Sequence, residues 1–290
     1  MTPEFPARHG AANAPLQRDC PGVLIPADPY GRLRDTARLI TTAGEQTIHC
    51  VATPPRSLRW NVWRIRTDLL LMPNGDVIAT SVRRDDALDP LVFVQEMWCP
   101  VPGTVRATKD VIRAIRHPAL CHFIRNVFAD FRVFEDFWKA EAGPDHHHWP
   151  GGLAVHSLEV VQAVAEGLDK VPTVGDPWSQ DERDLGILAA LLHDLGECRD
   201  NGQPLPDIAE LQRRTMELRH LGLIHDPFSR LHGANPRLGR ALLALWFPRQ
   251  RFPASDIRTR ELRTILLAAH RASVARAKVP MCVMDAQWPA

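Results

Sequence analysis

Between residues 45 and 100 the apolar positions come in short runs rich in Val, Ile, Trp and Thr. These runs are Thr47 to Val51, Trp60 to Arg66, Leu69 to Met72, Val77 to Val82 and Leu91 to Trp98. Runs of this length and composition, broken by turn residues, predict strands. Pro73-Asn74-Gly75-Asp76 lies between two of them, and Asn-Gly between apolar runs marks a hairpin. Ahead of these runs, Leu33, Ala37, Leu39 and Ile40 fall near helical spacing in Gly31 to Ala43, which predicts a short helix. Residues 31–104 are therefore expected to form a small β-rich (α+β) domain, closed by Pro100, Pro102 and Gly103.

From Ala107 onward the period changes. Val111, Ile112, Ile115, Leu120, Phe123, Ile124, Val127, Phe128 and Phe131 recur mostly at three- and four-residue steps, the signature of amphipathic helices. Further helices are predicted at His156 to Leu168, Glu182 to Leu195, Ile208 to Leu221, Pro236 to Trp246 and Ile257 to Ala277. Residues 105–280 thus read as one all-α domain, and the fold class expected is mostly α. Residues 1–30 carry Pro3, Pro6, Pro15, Pro21, Pro26 and Pro29 without an apolar h-region, so they read as a flexible leader and not a secretory signal. Residues 281–290 read as a tail.

Composition narrows the class. A hydrophobic fraction of 45% over 290 residues is enough for a sizeable core, which excludes a disordered chain. No run of about 18 apolar residues occurs, so no membrane span is expected. The cysteines Cys20, Cys50, Cys99, Cys121, Cys198 and Cys282 form no C-x-x-C pair, which favours reduced thiols and a cytoplasmic location over a disulfide framework. The net charge of +1 names no partner, but its distribution does more. Residues 141–210 hold 14 acidic and 3 basic side chains, whereas residues 211–280 hold 13 Arg and 1 Lys against 4 acids. Arginine forks suit phosphate recognition; the plain alternative is that the two halves neutralise each other.

The histidines carry the chemistry. Of 13 in the chain, His146, His147, His148, His156, His193, His220, His225, His232 and His270 fall in the helical half. His193-Asp194 ends a nearly all-apolar helix, where an unpaired carboxylate would be costly. A divalent metal accepts neutral imidazole and ionised carboxylate together. The bland alternative is an Asp paired with Arg and a His with one core hydrogen bond. His156 opens the preceding helix behind a Gly151-Gly152 corner, and packing of Leu158, Val160 and Val161 on Leu188, Leu191 and Leu192 would bring it beside His193-Asp194.

The pattern H-H-H-x-x-G-G-L-x-x-H-S-L-E-V from His146, followed by A-A-L-L-H-D-L-G-E from Ala189, resembles the HD superfamily of metal-dependent phosphohydrolases. Within it the similarity is closest to the TraI-type domain of conjugative MobH relaxases, and YhaM-like 3′–5′ exoribonucleases are similar too. The resemblance spans about Ala107 to Lys278 and implies an all-helical HD-type domain. It further implies metal held by His156, His193, Asp194 and, in the A-H-R-A-S-V segment where the family has Asp, His270. One or two ions of Mn, Fe, Ni or Zn would activate water for hydrolysis. Asp194 would serve the chemistry, and one of His146, His147 and His148, with His147 and His148 foremost, would orient substrate or act as general acid. Arg271 and Arg276 would meet substrate phosphate. The substrate implied is a nucleic-acid phosphodiester, in single-stranded form, with Trp149 available to stack on a base. The β-rich part stands where YhaM-like enzymes carry an oligonucleotide-binding barrel, an analogy of position alone. Two departures stand out: His270 replaces the family's Asp, and Glu197 stands where a phosphate-facing Lys is usual. His220, His225 and His232 remain open as a further ligand. A full relaxase would extend further, so a stand-alone relative is expected. Rival readings are a small-nucleotide phosphohydrolase and a non-catalytic nucleic-acid-binding protein of a mobile element. With no G-x-x-x-x-G-K-[ST] and no G-x-G-x-x-G, an ATP-driven motor or dinucleotide enzyme has no support.

Overall fold

The computed structural model describes residues 16–26, 36–50, 62–143, 146–170, 176–198, 209–247 and 257–277, and the chain forms two compact units, Met1–Phe93 and Val94–Ala290.

The first unit is built on five strands: β1 (Leu16–Pro26), β2 (Thr36–Thr41), β3 (Gly44–Cys50), β4 (Trp63–Leu71) and β5 (Val77–Arg84). They close into a barrel in the order β1-β2-β3-β5-β4. All neighbours are antiparallel except β3 and β5. Closure leaves no unpaired edge, and inward-facing side chains fill the interior. Leu24, Ala37, Leu39, Ile48, Ile65, Leu69 and Ala79 make that core. The expected hairpin joins β4 to β5: Asp76 N donates to Asn74 Oδ1 at 3.1 Å, and Gly75 adopts φ +89°.

Several expectations change here. The segment read as a short helix contains β2, because its two sides are taken by β1 and β3 and the paired backbone outweighs a weak helical spacing. β1 lies inside the stretch read as a leader. Its prolines suggested disorder, yet Val23 and Leu24 are fully buried. Residues 1–15 and 27–35 lie outside the described residues, as does the expected tail at 281–290. Trp60 to Arg66 and Leu69 to Met72 merge into β4, whereas Leu91 to Trp98 forms two short 3-10 turns, Pro90–Phe93 and Glu96–Trp98.

The second unit has α1 (Thr104–Ala114), α2 (Pro118–Phe128), α3 (Phe131–Phe134), α4 (Asp136–Lys139), α5 (Gly152–Lys170), α6 (Gln180–Leu191), α7 (Ala209–Ala234), α8 (Pro236–Trp246) and α9 (Thr259–Ala277). Local chemistry starts many of them. His117 caps α2 ahead of Pro118, Asp130 caps α3, and Asn235 caps α8 ahead of Pro236. Ser179 and Glu182 form a capping box on α6. Helix α7 continues through Pro227, past the end the sequence suggested. Phe123, Phe128, Phe134, Phe137 and Trp138 fill one part of the core, with Phe137 and Trp138 edge to face at 5.0 Å.

Helix α5 is the hub, packed on both α6 and α9. Leu158, Val160 and Val161 are buried, as are Leu188, Leu191 and Leu192 across from them, as expected. Glu182 ties the start of α6 to the approach of α9. It accepts hydrogen bonds from Ser179 N and Oγ and from the backbone, Nε and Nη2 of Arg258. Arg258 lies over the Trp178 ring at 3.9 Å.

The expected fold class, mostly α with an all-helical HD-type domain behind a small β-rich (α+β) domain, is thereby corrected. The chain is a mixed α/β protein with a closed five-stranded barrel as a full unit of its own, and nothing observed identifies the helical unit as an HD domain. The helical period of residues 105–280 predicted helices well, but periodicity does not say which of many helical arrangements they adopt. The boundary also falls at Phe93 and not at residue 104.

Candidate metal centre

The histidine loop is held down from below. Gly151 N donates to Lys139 O at 3.0 Å and Leu153 N to Ala140 O at 3.0 Å. His147 O accepts from Ala142 N at 3.2 Å and Trp149 N at 2.9 Å. The corner is tight enough that a Cβ on Gly152 would stand 1.9 Å from His147 O, and Gly151 has φ +82°. Only glycine fits both conditions at once. His147 itself takes φ 47°, a sparsely populated conformation, which aims its ring away from that of His146.

His146 then points inward. His156, in the second turn of α5, is fully buried. His193 and Asp194 do not sit within the helix as expected but just beyond the end of α6 at Leu191. There the last-turn carbonyls lack intrahelical partners, and His193 Nδ1 donates to one of them, Ala190 O, at 2.7 Å. Helix α9 brings His270 from 76 residues further along the chain (270 − 194).

One ligand atom each from His146, His156, Asp194 and His270 lies within 4.8 Å of every other, so these four residues can hold a metal ion. Asp194 Oδ2 is the common point. It stands 3.9 Å from His146 Nε2, 3.3 Å from His156 Nε2, 4.0 Å from His270 Nε2 and 3.1 Å from His193 Nε2. His193 Nε2 also lies 3.1 Å from His156 Nε2. Two imidazole nitrogens at that distance repel unless a proton or a cation stands between them. His193 spends its Nδ1 proton on a carbonyl, so its Nε2 is the free lone pair of the neutral ring. The Nε2 of His270 is buried and has no hydrogen-bond partner.

Electrostatics agree with a site for positive charge. Burial resists ionisation of Asp194, but the charge of His193 and hydrogen bonds from His156 and His193 hold its carboxyl well below the usual carboxylate range. Burial alone drives His156 down to about 4, so that ring is neutral near neutral pH. Burial likewise lowers His270, with Asp194 opposing. For His193 burial is outweighed by the Asp194 charge, which raises it. Neutral imidazoles around one ionised carboxylate are the donor state that a divalent transition ion requires.

The residues named from the sequence divide as follows. His156, Asp194 and His270 are in the cluster, and His193 touches it. His146, one of three loop histidines left open, is the fourth member. His147 and His148 do not reach the cluster. The His147 ring is buried with Nε2 3.4 Å from Glu159 Oε1, and exposed His148 places Nδ1 3.0 Å from Glu141 Oε2. Three consecutive side chains on a turn must diverge, and no sequence signal says which points inward. Trp149 packs on His147, with ring centroids 4.8 Å apart. Arg271 and Arg276 are exposed, and their charges are felt at His270 and Glu159 respectively. His220 is buried against Trp246 at 4.6 Å, His225 pairs with Asp226, and His232 stacks on Phe228. None of these three belongs to the cluster. Glu197 Oε1 lies 3.5 Å from where a Cβ on Gly143 would stand, on the side where the His146 ring also packs. Sequence reasoning passed over Ser273 and Glu159, which stand behind His156.

The five described cysteines are free thiols, and among the described residues no helix is long and apolar enough to cross a membrane. No family model, no curated protein and no solved structure matches the chain.

Proposed function

We propose that this chain is a metal-dependent phosphohydrolase acting on nucleic-acid phosphodiesters. The observation that carries the reading is the convergence of His146, His156, Asp194 and His270 within 4.8 Å. The similarity of their sequence context to HD phosphohydrolases supplies the reaction class. Three nitrogens and one carboxylate favour Zn, Fe, Ni or Mn over Mg, and a dication with one carboxylate keeps a net positive centre suited to an anionic phosphoryl group. Such an ion supplies Lewis-acid polarisation and an activated water at neutral pH. Asp194 provides the anchoring charge, His193 stands 3.1 Å from it to steer or pass a proton, and Arg271 beside His270 neutralises phosphate.

Single-stranded nucleic acid is the proposed substrate for two reasons. The families that the motifs resemble act on nucleic acid, and small five-stranded Greek-key barrels commonly bind oligonucleotides. The test begins with metal content of purified, tag-free protein by mass spectrometry, beside Asp194→Ala. Hydrolysis of labelled single-stranded DNA and RNA, and of mononucleotides, follows. One or two transition ions lost in the variant, with oligonucleotide cleavage that depends on them, is the expected result. Cleavage of mononucleotides alone would replace the substrate with a small nucleotide. Bound metal without turnover on any of these would replace catalysis with binding. A wild-type protein that takes up no added Mn, Fe, Ni or Zn overturns the reading.

A further inference from the structure

Behind the cluster, His156 and Glu159 lie three residues apart on α5, and both meet Ser273 of α9. His156 Nδ1 stands 2.9 Å from Ser273 Oγ, and Ser273 Oγ donates to Glu159 Oε2 at 2.5 Å. His156 and Ser273 are fully buried, and the Glu159 side chain is only 12% exposed, so water does not compete for these bonds. The direction of each bond follows from its chemistry. An ionised carboxylate only accepts, so the single hydroxyl proton of Ser273 goes to Glu159. Toward His156 the serine oxygen can then only accept, which requires the proton on Nδ1. The neutral ring has no second proton, so Nε2 is bare. That nitrogen faces Asp194 Oδ2 at 3.3 Å and His193 Nε2 at 3.1 Å.

We propose that Glu159, acting through the Ser273 hydroxyl, is a positioning residue that fixes His156 as its Nδ1–H tautomer and so keeps Nε2 open toward the cluster. The service of that nitrogen as a cation ligand rests on the function proposed above; the tautomer itself does not. Glu159 holds a second part of the site as well, since its Oε1 lies 3.4 Å from His147 Nε2 in the loop that delivers His146. One carboxylate thus joins three pieces of chain that are remote in sequence: the histidine loop, α5 and α9. Histidine ligands generally need such an outer partner, and losing it typically weakens metal binding 10–100-fold.

The inference makes an unusual demand on Glu159→Leu. With no carboxylate to receive it, the Ser273 proton turns to His156 Nδ1, and the ring moves its own proton to Nε2. Long-range proton–nitrogen NMR of the metal-free, full-length protein with labelled histidine reads this directly. The expected result is Nδ1–H for His156 in wild type, Nε2–H in Glu159→Leu, a mixture in Ser273→Ala, and recovery of Nδ1–H in Ser273→Thr. Zinc or cobalt affinity, by competition with a chelator, falls 10–100-fold in the first two variants and recovers in Ser273→Thr, while urea unfolding shows each variant folded. An Nε2–H tautomer in wild type, or Nδ1–H retained in Glu159→Leu, overturns the proposal. Wild type with the expected tautomer but no affinity for any ion supports this inference and sinks the metal reading instead.

Discussion

Consider Gly152→Ala, a single methyl group under the histidine loop. Its Cβ would stand 1.9 Å from His147 O, where Cβ atoms essentially never come closer than 3.0 Å to such a neighbour. The loop must therefore retreat by more than about 1 Å (3.0 − 1.9), because the neighbour is backbone and not the flexible end of a side chain. His147 O accepts from both Ala142 N and Trp149 N, and the retreat strains or breaks both bonds. Each bond contributes roughly 1 kcal/mol, and a buried group left without a partner costs about 1–3 kcal/mol more. The expected loss is about 3 kcal/mol in urea unfolding of the metal-free protein at pH 7. The same displacement moves His146 by several times the roughly 0.2 Å that metal–ligand distances tolerate, so zinc affinity should fall at least about tenfold. Gly222→Ala is the control. Gly222 lies within α7 with nothing within 4 Å of its Cβ position. There the same change should stabilise by about 0.5–1 kcal/mol, the helix preference of Ala over Gly. Should Gly152→Ala unfold within about 0.5 kcal/mol of wild type with zinc affinity intact, the argument that this corner positions the loop is wrong.

Three further outcomes are expected. His156→Ala and Asp194→Ala should each abolish stoichiometric metal on dialysis, and His193→Ala should weaken it; full occupancy in all three by mass spectrometry would remove the site. Mg at millimolar excess should neither displace bound zinc nor support its role, since the cluster offers three nitrogens to one carboxylate; calorimetric competition reads this. Burial raises the Glu182 carboxyl, but hydrogen bonds from Arg258 and Ser179 prevail and bring it down to about 2 from 4.5. Its folded value being depressed, the stability it contributes is present above about pH 4.5 and is lost as pH falls through about 2. A shift of that size is worth at most about 3 kcal/mol, and screening at the partly exposed Arg258 lowers that to about 2. Glu182→Gln should therefore lose about 2 kcal/mol at pH 7 and flatten the acid limb of an unfolding series; an unchanged acid limb would show that the pair is not coupled to folding.

The same elements show how far the sequence could be read. The spacing of α5, α6, α8 and α9 was visible because each buries one stripe against its neighbours, and a 3.6-residue period records that stripe. The Asn-Gly hairpin was visible because its turn demands a particular backbone at Gly75. β1 and β2 were not, since their stability comes from partners elsewhere in the barrel, and Leu39-Ile40 fits either period when read alone. Pro227 within α7 misled in the opposite direction, its local cost being overridden by the packing on either side.

For the candidate site, the sequence by itself determined the ingredients: His156, the His193-Asp194 pair, the glycine corner and His270 at a helical spacing from α9's apolar residues. These were legible because imidazole and carboxylate beside long apolar runs must find a partner, and few partners satisfy both. Only the tertiary structure decided that His146, and not His147 or His148, turns inward, and that Glu159 and Ser273 stand behind His156. Ser273 and His156 are 117 residues apart, and a hydrogen bond between them depends on how α9 crosses α5. Side-chain direction on a turn and contact between distant helices are set by packing of the whole unit, and a one-dimensional pattern of residue types does not encode either.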